Sequence, residues 1–161
     1  MFMIKHVKIL GMVAVIFMGS GALEAQEAPP SLVTIKSAKC TFTALATGAW
    51  EDGKVAAVVK PEMLTMEFDS IDVDGGVADL PSNEGGAAGR SDLLVKLSKG
   101  TVHFVQIFTD GPLYITTLFP EWTRPGRVQA VHTRHEFTPG IRLAGFTWQP
   151  EQYYGECELK F

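Results

Sequence analysis

The chain has only two cysteines in 161 residues, Cys40 and Cys157. With no third thiol to compete, at most one intramolecular bridge can form, and once oxidised neither sulfur can serve as a nucleophile. Helical periodicity is nearly absent. The longest apolar run, residues 9–18, falls short of the roughly 20 residues that span a bilayer as a helix. Positive charge is the minority, with 14 Lys+Arg against 18 Asp+Glu and a net −4. Nucleic acid is therefore excluded as a partner by overall repulsion. The closest approach to a Gly-x-Ser-x-Gly elbow, Gly89-Arg90-Ser91-Asp92-Leu93, lacks the second glycine that allows the sharp turn. No phosphate-cradling glycine loop opens a helix, and no basic aromatic stripe offers a single-stranded nucleic acid a stacking platform.

What is present starts with a removable targeting segment. Lys5, His6 and Lys8 precede the apolar run, and small residues after it offer cleavage following Ala22 or Ala25. No cysteine lies near the cut, so lipid anchoring by that route is not expected. The predicted organisation is a signal peptide over 1–25, an N-terminal linker over 26–36 and a single β-domain over 37–161. No stable membrane span remains after processing. The segment holds two lysines and one glutamate, so its loss leaves the remainder more acidic. An exported protein, periplasmic or secreted, meets an oxidising environment, where Cys40 and Cys157 are expected to pair.

Beyond residue 37 the pattern is period-two alternation broken by glycine turns, predicting eight or nine short antiparallel strands. Cys40, Phe42 and Ala44 share one face of the first strand, and Asp52-Gly53 turns it into residues 55–59. Leu64, Met66 and Phe68 alternate with polar residues until the pattern slips by one at Ser70-Ile71, as a β-bulge would make it. Asp74-Gly75 and Lys99-Gly100 mark further hairpins. Residues 81–91 read as a glycine-rich loop, a candidate lid, and 120–126 as a loop carrying Trp122. In the closing strand Tyr153, Gly155, Cys157 and Leu159 share a face. A meander whose first and last strands are bridged disposes of its edges by curling into a closed or partly closed barrel, with a β-sandwich as the alternative.

The triplet Gly48-Ala49-Trp50 resembles the Gly-x-Trp signature of lipocalins, exported barrels that carry small apolar ligands; Arg134 or Arg142 would stand in for the family's later arginine. That resemblance covers three residues and implies barrel architecture. The run Ala130-Val131-His132-Thr133-Arg134-His135, with Tyr153-Tyr154-Gly155-Glu156-Cys157, is similar to small exported bacterial β-proteins of unassigned role.

Candidate site residues follow from charge on strands. His132 and Arg134 share a face with Val128 and Ala130. If that face points inward, a guanidinium inside a barrel demands a partner, such as an anionic ligand head group; if outward, Arg134 pairs with a carboxylate such as Glu136. His132 and His135, three apart on a strand, point to opposite faces and do not chelate together. Trp50, Trp122 and Tyr154 are candidate ligand contacts or end plugs. Asp72 and Asp74 share a strand face and form a weak candidate cation site, whereas an EF-hand aligned on Gly75 lacks its terminal carboxylates. The expected function is non-enzymatic binding of a small apolar or anionic ligand, or contact with an envelope partner, without a cofactor. The alternatives are a barrel-based enzyme using His132, Arg134 and His103 in acid and base roles, and weak metal binding.

Overall fold

The computed structural model describes residues 28, 30–81, 91–108, 112–136 and 150–161. The expected signal segment, residues 82–90 of the 81–91 lid candidate, and Arg142 lie outside the described residues, as does the side chain of Trp50.

Eight strands follow in chain order: β1 (Ser37–Glu51), β2 (Lys54–Asp72), β3 (Val77–Leu80), β4 (Ser91–Ser98), β5 (Thr101–Ile107), β6 (Leu113–Arg124), β7 (Arg127–His135) and β8 (Glu151–Lys160). Each is antiparallel to the next, and β1 pairs a second time with β8, so one sheet closes into a ring. Two packed sheets, the sandwich alternative, are not formed.

Turn chemistry sets the meander. Asp52 and Gly53 have φ of 51° and 75°, and Lys99 and Gly100 have 51° and 82°, the paired positive values of two-residue type I′ hairpins. Between β2 and β3, Asp72 Oδ1 accepts the Gly75 N–H at 2.8 Å and folds the acidic stretch into a turn. The expected bulge lies at Ser70, whose φ is 51° and where the β2·β3 register shifts between Asp69 and Asp72. That shift puts Ile71 into the core beside Phe68, both about 98% or more shielded.

Three expectations change. Residues 55–59 and 64–72 are one strand, because among the described residues Pro61 occupies a stretch of β2 that pairs only with β1 and so removes no bond from a central ladder. The ring therefore has eight strands. A register shift after Phe42 turns Leu45, not Ala44, to the core. Residues 120–124 are not loop: β6 continues to Arg124 through register shifts that accommodate Pro120, and the turn is Pro125-Gly126, with Gly126 at φ 77°.

Core side chains fill the ring from one end. Phe68 and Phe104 stack with centroids 4.3 Å apart, among Ile71, Val95, Val102 and Leu118. From the segment expected as a linker, the 3-10 turn Leu32–Thr34 tucks Leu32 and Ile35 under this end. Backbone bonds from Lys36 N to Lys160 O (2.8 Å) and from Ile71 N to Lys36 O (3.0 Å) fix it there. Cys40 and Cys157 are direct partners across β1·β8, fully buried and disulfide-bonded.

A polar cluster at the other end of the ring

The inner rows of β6, β7 and β8 line up in tiers, because their ladders put Tyr114 beside Arg134 and Arg134 beside Glu151. One step deeper come Thr116, His132 and Tyr153, and one deeper again Leu118, Ala130 and Gly155. Polarity stops at that third tier. The first tier is nearest the β7–β8 connection, at the end opposite Leu32 and Ile35.

All four buried polar or charged side chains among the described residues, Thr116, His132, Glu136 and Glu151, belong to this cluster. Such groups are costly to bury and here each is bonded. Tyr114 Oη donates to Glu136, and Tyr153 Oη donates to Glu151 Oε2 at 2.8 Å. Arg134 Nε donates to His132 Nε2 at 3.3 Å. Nε2 is therefore the bare nitrogen, and Nδ1 carries the proton, donated to Thr116 Oγ1 at 2.8 Å. Burial, and then the Arg134 charge, push the His132 pKa down to about 3, so the ring is neutral. Burial and the Glu151 hydrogen bond push Tyr153 up to about 12; burial and Glu136 raise Tyr114 further in the same direction.

Arg134 itself lies over two rings, 5.6 Å from the Tyr114 centroid and 5.2 Å from that of Tyr153. No carboxylate among the described residues forms an ion pair with it. Its Nη atoms make no bond within the described residues, and the side chain is part-buried. Phe42 and Phe108 add apolar walls, packed on His132 and Tyr114 with centroids 5.9 and 5.1 Å apart.

The structure brings together two of the sequence candidates, His132 and Arg134, and places His103, Trp122 and Tyr154 away from them. The inward reading of Arg134 is the observed one; Glu136 shares its face but accepts from Tyr114. His135 is exposed on the opposite face. His103 is on the outer face of β5, its Nδ1 3.0 Å from Thr117 Oγ1, and so does not join His132 and Arg134 in one acid-base site. Trp122 sits at the far end, donating Nε1–H to Ala28 O at 2.8 Å and anchoring the N-terminal segment. Tyr154 faces outward, donating to Gln152 Oε1. Trp50 belongs to β1 at its β2 turn, at the cluster's end of the ring. Asp72 and Asp74 are exposed at the β2–β3 turn, and among the described residues no group of three His, Cys, Asp or Glu side chains could hold a metal ion.

Sequence reading missed Tyr114, Thr116, Glu151 and the inward role of Tyr153. A signal existed for the last, which shares strand parity with Cys157. No known protein family, curated protein or solved structure matches the chain.

Proposed function

We propose that the protein is an exported, non-enzymatic binding module that takes the anionic group of a small ligand at the Arg134 mouth. The observation that carries this is an inward, part-buried guanidinium that forms no carboxylate ion pair within the described residues and is held by ring faces and an imidazole nitrogen. A carboxylate or phosphate oxygen is the complement of that fork. Tyr114, Tyr153 and Phe108 would flank the ligand's apolar body. Because the ring is filled below the Leu118 tier, the ligand sits in the mouth and does not thread the interior. Glu136 and Glu151 limit it to one charged group, since a second anionic group would face buried carboxylates. The Cys40–Cys157 bridge is compatible with an oxidising compartment.

Native mass spectrometry of protein recovered from its export compartment tests the reading, followed by calorimetric titration with fatty and aromatic monocarboxylates. A retained or titratable acid that is lost in Arg134→Leu supports it. Equal ligand content in both proteins, or none in either with no titratable acid, overturns it.

A further inference from the structure

Among the described residues β2 is paired on one side only over most of its length. Its ladder with β1 runs from Lys54 to Phe68, but its ladder with β3 begins at Asp69. The uncovered stretch exposes large apolar side chains: Val55 at 73%, Val58 at 54% and Val59 at 74%. An open edge of this kind is a template for another strand.

The hairpin determines which groups face out. In a type I′ two-residue turn the flanking pair, here Glu51↔Lys54, exchanges hydrogen bonds. The register is regular from there to Ala44↔Pro61, so 54, 56, 58 and 60 bond to β1. Val55, Ala57 and Val59 then turn their N–H and C=O to the open side. Pro61 is next in that series and has no N–H, which ends the usable edge.

We infer that this edge pairs with the same edge of a second copy, antiparallel about Val58. In that register Val58 meets its symmetry mate, Ala57 and Val59 of the two copies exchange ladder bonds, and Lys54 faces Glu62 of the other copy at both ends. Glu62 already pairs with Lys60 of its own strand at 3.2 Å, so Lys54 of the other copy joins an existing pair; a register about Pro61, which would set Lys60 opposite Glu62, is barred because Pro61 has no N–H to donate, and Pro61 also stops extension. Because a two-fold contact uses both edges, assembly stops at a dimer.

The test is sedimentation equilibrium of the intact, disulfide-bonded protein. The wild type is expected to be a dimer. Lys54→Glu, which sets like charges opposite each other twice, weakens the dimer by roughly tenfold or more. The double variant Lys54→Glu/Glu62→Lys restores it. Near-ultraviolet circular dichroism matching the wild type establishes that each variant is folded. A monomer at all accessible concentrations, a dimer indifferent to Lys54→Glu, or failure of the charge exchange to rescue overturns the inference. So does an edge that binds only an unrelated extended peptide.

Discussion

Gly155 and Phe42 are cross-strand partners with no room between them: a Cβ on Gly155 would stand 2.6 Å from Phe42 Cα and 2.1 Å from Thr41 O. The obstacle is backbone, so no rotamer change relieves it. This is where β1 bends at its register shift and closes on β8.

Gly155→Ala is expected to destabilise the fold by about 2–4 kcal/mol. The change is read as a lower urea midpoint at unchanged slope. A neutral result would mean that the seam between β1 and β8 is wider than described.

Acid should weaken the protein through His132. Its pKa lies at about 3 when folded against an ordinary 6.5. Between those values the unfolded chain takes up a proton that the folded one refuses. Stability from this group is complete above pH 6.5, falls as pH drops through that window, and the loss is on the order of a few kcal/mol. His132→Gln starts from a lower stability, because it breaks the Thr116 and Arg134 contacts, but its urea midpoint should depend less on pH. An unchanged pH slope in the variant would remove His132 as the cause.

Ultraviolet titration of the phenols should show Tyr114 and Tyr153 ionising late. Tyr114 is part-buried and Tyr153 buried, and each donates to a carboxylate, which opposes placing a second negative charge on the phenol oxygen. Tyr153 is expected to ionise at about 12 and Tyr114 later still. Tyr153→Phe should delete the transition at about 12.

Reducing the bridge should be costly. The link closes a loop between residues 117 apart, for which chain entropy predicts a contribution of about 4–5 kcal/mol. Oxidised protein, reduced protein and the Cys40→Ala/Cys157→Ala variant compared by denaturant unfolding give the value. The reduced form and the double variant should agree with each other and fall well below the oxidised form.

Much of this architecture was legible in the chain, for local reasons. Asp52-Gly53 and Lys99-Gly100 prescribe their turns, and the slip at Ser70-Ile71 could be read because the apolar residues on either side, Phe68 and Ile71, are large. The pairing of Cys40 with Cys157 followed from there being no other thiol. The direction of Arg134 was not legible, because both rows of β7 mix apolar and polar residues: Val128, Ala130 and His132 on one side, Gln129, Val131 and Thr133 on the other. Only the ladders with Leu118 and Gly155 decide between them. The tryptophans could not be placed by composition either. Trp50 and Trp122 fall at opposite ends because β1 and β6 run in opposite directions around the ring. Glu151 drew no attention because it opens a strand next to a stretch without periodicity, and its burial comes from the neighbouring strands.

The sulfur link between the first and last strands also sets how the domain responds to force. Tension applied at the two ends of the chain would pass from Cys40 straight to Cys157, and the intervening strands would carry none of it. Mechanically the oxidised protein is a short inextensible knot between two tails, and only after reduction would pulling peel the ring open.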